Sequence, residues 1–173
     1  RWELKSLVRE AALVTKDLGQ LVFIGSIARY FHTKDYRESQ DLDFVMAAPL
    51  TEEELFEKGY RKFNENRKEV WRTPRGIKID MYTSDVGGIS VETLIKTAKQ
   101  FDADKKGNKL SVMSLECLII SKHRAQRDQD IADLKMIAHR KLGEIDWNLI
   151  GEITGDETEY KSIKTDIEFL AKS

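Results

Sequence analysis

The chain has 173 residues, 40% of them hydrophobic and 34% charged, with a formal net charge of −1. That length suits one ordinary domain, or a domain with a small helical annex. The balanced charge excludes a whole-chain electrostatic nucleic-acid binder, so any such binding has to use a local patch.

Reading from the amino end, "WELKSLVREAALVTKDLG" carries apolar residues at Leu4, Leu7, Val8, Ala11 and Ala12. This is helical spacing, and Gly19 supplies the stop. The short apolar run "LVFI" reads as a buried strand, "SIARYFH" as a short helix and "DLDFVM" as a second strand. Pro49 ends that strand. "LTEEELFEKG" then predicts a helix with Thr51 as N-cap and Glu54 completing a capping box.

"EVWRT" and "IKIDMYT" flank Pro74-Arg75-Gly76 and predict two strands joined by a tight hairpin. "SVETLIKTAKQF" predicts a short helix, and "DADKKGNKLSVM", with its Gly-Asn turn, a hairpin or loop. From Ser114 the pattern is helical: "SLECLIISKHRAQ", "DQDIADLKMIAHRKL", and weaker segments at 146–153 and 158–172. The expected organisation is an α/β half, residues 1–112, packed against a helical half, residues 113–173, with no flexible linker between them.

The longest apolar runs are far short of a membrane span, and no signal-peptide pattern opens the chain. Arg1 stands first, which reads as a trimmed start. The single cysteine, Cys117, lies in an apolar run and has no partner for an internal disulfide. It is expected to be a buried small hydrophobe in a reducing, cytoplasmic setting.

The chemistry concentrates between Leu21 and Met46. On a strand, residues two apart share a face, so Asp41 and Asp43 project together while Leu42 and Phe44 turn into the core. Two adjacent carboxylates raise each other's pKa unless a cation neutralises them. Paired carboxylates suit Mg²⁺, which often completes its shell with substrate phosphates. An Asp-x-Asp pair is common on solvated strands, and alone it assigns nothing.

Three further features add to it. Gly25-Ser26 falls between a buried strand and a helix, where the backbone can approach a ligand and the helix N-terminus favours phosphate. Asp80 sits in the apolar strand "GIKIDMY", on the face it shares with Lys78 and Tyr82. Lys122 continues the apolar stripe of Leu115, Leu118 and Ile119, which turns it toward the protein body. There it serves a buried anion, or it pairs with Asp130 on the next helix.

Gly25-Ser26, Arg37-x-Ser39-x-Asp41-Leu42-Asp43-Phe44 and Asp80 together resemble the nucleotidyltransferase superfamily with the DNA polymerase β fold. "RxSxDLDF", "EKGY" and "LECLIISKHRAQRDQDIADL" are most similar to its AbiEii-type branch, which includes toxins of toxin–antitoxin systems. The similarity covers about residues 20–140. It implies a nucleotidyltransferase-type mixed sheet flanked by helices, and a Mg²⁺- or Mn²⁺-dependent transfer of a nucleotidyl group from an NTP, ATP among them, to a hydroxyl with release of pyrophosphate.

In that resemblance Asp41, Asp43 and Asp80 match the catalytic, metal-ligating carboxylates. Gly25, Ser26 and Lys122 match phosphate-binding positions. Arg37, Ser39, Asp130 and Asp133 match supporting positions. The segment Ile27–Gln40 is longer than the family's, which predicts an open loop. A shorter chain than the branch's toxins also leaves less surface for a tRNA acceptor.

Between Lys58 and Lys78, Arg61, Lys62, Arg67, Lys68, Arg72 and Arg75 face only Glu65 and Glu69. Tyr60, Phe63 and Trp71 are interspersed. The stretch reads as an RNA track or as an ordinary charged hairpin with its aromatics in the core. The acceptor is thus an RNA such as tRNA, or a protein. A degenerate, partner-binding module of antitoxin type is the alternative, but such a module usually lacks one of the three carboxylates. An antibiotic-modifying enzyme would want an acidic pocket, against the local basic bias. His32, His123 and His139 make no zinc spacing with the cysteine, and glycine-rich dinucleotide and Walker motifs are absent.

Overall fold

A computed structural model describes all 173 residues, Arg1–Ser173. The chain opens with helix α1 (Leu4–Leu18), strand β1 (Leu21–Phe23), helix α2 (Gly25–Thr33), strand β2 (Asp41–Met46) and helix α3 (Glu52–Glu57). Strands β3 (Arg61–Glu65), β4 (Lys68–Arg72) and β5 (Lys78–Tyr82) follow, then α4 (Val91–Thr97), β6 (Lys99–Asp102) and β7 (Lys109–Val112). Helices α5 (Leu115–Ala125), α6 (Asp128–Lys141), α7 (Trp147–Thr154) and α8 (Glu157–Lys172) complete it.

All seven strands form one mixed sheet in the order β3-β4-β5-β2-β1-β7-β6. β2 runs antiparallel to β1 and parallel to β5, and β1 meets β7 through a single parallel register pair, Phe23↔Val112. One apolar cluster extends from Leu7 and Val14 of α1, through Phe23, Leu42 and Phe44 of the sheet, to Ile163 and Ile167 of α8. The expected α/β architecture is therefore present. No helix is long and apolar enough to cross a membrane.

Local chemistry accounts for the element boundaries. Thr51 accepts a hydrogen bond from Glu54 N at 3.1 Å, and Ser114 one from Cys117 N at 3.1 Å, each satisfying an orphan donor at a helix start. Pro74-Arg75-Gly76 does join two antiparallel strands, with Arg72 opposite Lys78.

Two expectations are corrected. β3 has no counterpart in the sequence reading. It carries one apolar residue, Phe63, in an otherwise polar run, which suits an edge strand and leaves no period-two signal. It turns into β4 through Asn66-Arg67, both left-handed (φ 50° and 65°), which is the backbone of a two-residue hairpin turn. The helix predicted over "SVETLIKTAKQF" stops at Thr97. Ala98 is extended, and Lys99–Asp102 instead pairs with β7 as a hairpin. Phe101 lies seven residues past Leu94 and so prolongs the helical period, but pairing with β7 decides the outcome.

Within the long segment Ile27–Gln40, the first seven residues belong to α2 and Lys34–Gln40 is an irregular, tethered loop. Tyr36 donates its hydroxyl to Trp2 O at 2.6 Å, and Trp2 N donates to Ser39 O at 2.9 Å, tying it to the amino end.

Candidate functional site

β2 and β5 are parallel and in register, so Asp43 lies directly opposite Asp80 and Asp41 opposite Lys78. Strand alternation puts all four side chains on one face while Leu42, Phe44 and Ile79 fill the core behind them. One carboxylate oxygen from each of Asp41, Asp43 and Asp80 falls within 4.8 Å of the other two. The three residues are half-buried.

One lysine offsets this cluster only in part. Asp41 Oδ1 and Asp43 Oδ1 are shut off from solvent and accept no hydrogen bond. Lys78 Nζ stands 3.6 Å from Asp41 Oδ1, close enough to reduce the repulsion and too far for a hydrogen bond. Burial, together with the neighbouring Asp80, pushes the Asp43 carboxyl up to about 7, and the same two causes raise Asp41. Orphaned, mutually repelling carboxylate oxygens in a hard-oxygen donor set fit a divalent cation such as Mg²⁺. Tyr82, two residues beyond Asp80 on the same face, is 40% exposed, and burial and the three carboxylates raise its pKa.

The turn between β1 and α2 comes into this site from the adjacent strand. Ile24 N donates to Asp43 O at 3.0 Å. Gly25 is left-handed at φ +62°, and a Cβ there would overlap Asp43 Oδ2 and stand 3.2 Å from its Cγ. Only glycine permits that approach and that φ. Ser26 follows in the first turn of α2, where backbone N–H groups have no intrahelical acceptor. Ser39 Oγ donates to Asp41 O at 2.9 Å and accepts from Asp41 N at 3.2 Å, fixing the start of β2.

The other residues singled out from sequence gather in a second cluster, centred on Asp133. Lys122 Nζ lies 2.7 Å from Asp133 Oδ2 and 3.4 Å from Asp130 Oδ1. Arg37 Nη2 donates to Asp133 Oδ1 at 2.7 Å, and Arg127 Nε to Asp130 Oδ2 at 2.7 Å. The pairing of Lys122 with Asp130 is thus present, with Asp133 as the closer partner.

Arg29, which sequence reasoning missed, completes the cluster. It is 6% exposed and donates from Nε to Asp133 Oδ1 at 2.9 Å and from Nη1 to Asp35 O at 2.9 Å, while Nη2 pairs with the Asp35 carboxylate. Its position one helical turn after Gly25 was the only available signal. Burial works against charge on Asp133 and Asp130. Lys122 and Arg29 outweigh it at Asp133, and Arg127 at Asp130, so both carboxyls stay below their usual range.

Half of the basic stretch is ion-paired. Lys62 pairs with Glu52, Arg72 with Glu65, and Arg75 with Glu10. Tyr60 is fully buried with its hydroxyl on Asp17, and Trp71 packs against Phe56. Of the three aromatics only Phe63, 48% exposed, presents an open ring.

Among solved structures, an antigenic nucleotidyltransferase-like protein from Paracoccidioides brasiliensis is similar. The identity is 16%, the match covers 98% of this chain and 92% of that one, and the TM-score is 0.56. JHP933 from Helicobacter pylori is similar at 13% identity, covering 97% of this chain and 90% of that one, with a TM-score of 0.55. At such identities the likeness shows the fold alone. No curated protein matches the sequence. The family model described as nucleotidyl transferase of unknown function (DUF2204) matches residues 5–172, nearly the whole chain, and the chain belongs to that family.

Proposed function

We propose that this protein is a divalent-metal-dependent enzyme that moves an NMP group from an NTP to a hydroxyl acceptor and releases pyrophosphate. The observation that carries the reading is the trio of carboxylates on β2 and β5, two of whose buried oxygens have no partner. Asp41, Asp43 and Asp80 would hold Mg²⁺ or Mn²⁺. When bound, the metal supplies charge neutralisation at the triphosphate and acidifies the acceptor hydroxyl.

The chain's own groups do the rest. The N–H groups at Gly25 and Ser26 face the triphosphate with the positive end of α2 behind them. Asp80 orients the acceptor hydroxyl and takes its proton. The acceptor oxygen forms a bond to the α-phosphorus, and the α–β bridging bond breaks, its electron pair leaving with pyrophosphate. Lys122, matched to a phosphate-binding position by the family resemblance, is ion-paired with Asp133 and Asp130 and would have to exchange those carboxylates for the phosphates.

The proposed acceptor is an RNA such as tRNA or a protein, and the proposed setting, on the AbiEii-like motifs of the sequence alone, is a toxin–antitoxin pair. On the side of an RNA, Lys58, Arg67 and Lys68 carry no ion pair, and Phe63 leaves a ring free for stacking on the β3–β4 hairpin.

The test is calorimetric titration of each NTP, with and without Mg²⁺, into the wild type and an Asp41→Asn/Asp43→Asn variant. α-³²P transfer to tRNA and protein fractions follows. Metal-dependent binding lost in the variant is expected. A folded wild type that binds no NTP under any condition refutes the catalytic reading and leaves a partner-binding module.

A further inference from the structure

A second concave surface lies away from the carboxylates. It is a groove of about 700 Å³ between α1, α2 and the β6–β7 hairpin. Its floor is apolar: Leu4, Val8, Ala12 and Leu13 of α1, with Tyr30 and the buried Phe31 of α2 and Ala103 of the hairpin. The α1 side chains are half-exposed, unlike Leu7, Ala11 and Val14 of the same helix, which are completely buried.

The rim is basic. Lys5, Arg9 and Lys16 of α1 and Lys106 of the hairpin line it, all exposed. None of the four has a carboxylate within ion-pair distance, unlike Lys62, Arg72 and Arg75 of the basic stretch, which are paired. Two acids also line the groove: Asp102 pairs with Lys109, and Asp104 accepts from Lys106 N at 2.8 Å and Asn108 Nδ2 at 2.7 Å within the hairpin turn. On a chain with a net charge of −1, this puts unpaired positive charge around an open apolar channel.

We infer that the groove receives an acidic amphipathic helix of a partner protein, its apolar side chains on the α1 floor and its carboxylates against Lys5, Arg9, Lys16 and Lys106. Lys5 to Lys16 spans about 16 Å of helix, which matches a docked helix of about three turns. Nucleic acid fits less well. Single strands bind through phosphate contacts combined with stacking on aromatic faces, and of the two aromatic rings in this floor Phe31 is buried, which leaves only the half-exposed Tyr30 for a base. The inference does not depend on the catalytic reading, because no residue of the groove belongs to either cluster described above.

The probe is a fluorescein-labelled fifteen-residue helical peptide with leucines at i, i+3, i+4, i+7 and i+11 and glutamates flanking them. It is titrated into the wild type and into Lys5→Glu/Arg9→Glu/Lys16→Glu. All three sites are exposed, and circular dichroism checks that the variant is folded. Binding is expected to weaken at least about tenfold in the variant and to fall with added salt. Amide shift changes in the wild type should centre on Leu4–Lys16 and Asp102–Asn108. No binding at about 1 mM peptide, or binding that the charge reversal leaves unchanged, overturns the proposal. So does preference for a uridine dodecamer over the peptide, or a wild-type dimer that the reversal dissociates, which would make the groove a nucleic-acid site or a self-association face.

Discussion

Replacing Gly25 with alanine perturbs the carboxylate site without touching a carboxylate. The cost has two parts. A non-glycine residue at φ +62° carries a left-handed penalty of about 1–2 kcal/mol. The new Cβ would also overlap Asp43 Oδ2, so the Asp43 side chain has to leave its rotamer at about 0.5–1.5 kcal/mol. Together these destabilise the fold by about 2–3 kcal/mol, or about 5–10 °C in Tm for a chain of this size.

Gly155→Ala is the matched control, since that glycine has φ +58° and open space where a Cβ would go. It carries the backbone penalty alone and should lose about half as much. The difference in function should be larger than the difference in stability. Shifting Asp43 by about 1 Å is expected to lower nucleotidyl transfer about a hundredfold, while Gly155→Ala transfers normally. Differential scanning fluorimetry and α-³²P transfer read the two effects. Equal Tm losses in the two variants, with unimpaired NTP binding by Gly25→Ala, would refute the idea that Gly25 is there to admit Asp43.

The Asp43 carboxyl is pushed up to about 7 from 3.8, so the native state holds that proton more tightly than the unfolded chain, and stability falls as pH rises between those values. Asp43→Asn should therefore be more stable than the wild type at about pH 8 and no more stable at about pH 4. Parallel urea-denaturation profiles at the two pH values would contradict this. Asp133→Ala should destabilise by about 3–5 kcal/mol, because it strands the buried Arg29 and the half-buried Lys122 without their shared carboxylate. Guanidinium titration measures it, and a loss below about 1 kcal/mol would show that solvent reaches both cations. Arg67→Gly should stabilise by about 1 kcal/mol by relieving the left-handed arginine of the β3–β4 turn, read as a rise in urea midpoint at constant slope.

Local chemistry made much of this molecule legible in advance. Capping by Thr51, the apolar period of α1 and the alternation in "DLDFVM" each depend on neighbours a few residues apart, and each is realised. Asp41 and Asp43 share a face for the same local reason. The pairing of Asp43 with Asp80 depends instead on the parallel alignment of two strands that α3, β3 and β4 separate. No period in either segment sets that register. It was reached through resemblance. Arg29 lay beyond both routes, since its partner Asp133 is 104 residues away and a lone arginine on a short helix announces nothing. β6 shows the converse failure, where Phe101 extended a helical rhythm that tertiary pairing overrode.

The single register pair between β1 and β7 gives the sheet a seam. On one side lie β2 and β5 with their carboxylates, and on the other the β6–β7 hairpin, held across the join by Phe23↔Val112 and the bond from Met113 N to Phe23 O at 2.9 Å. A hairpin attached so narrowly opens as its own cooperative unit, at a lower free energy than the strands beyond it. Deuterium should therefore enter the amides of Leu110 and Val112 before those of Leu42 and Phe44. The same hairpin walls the basic groove on α1, so an occupant of that groove would slow this exchange while leaving the carboxylate strands at their own rate. Exchange at the hairpin amides thus offers a gauge of docking that is independent of any nucleotide chemistry.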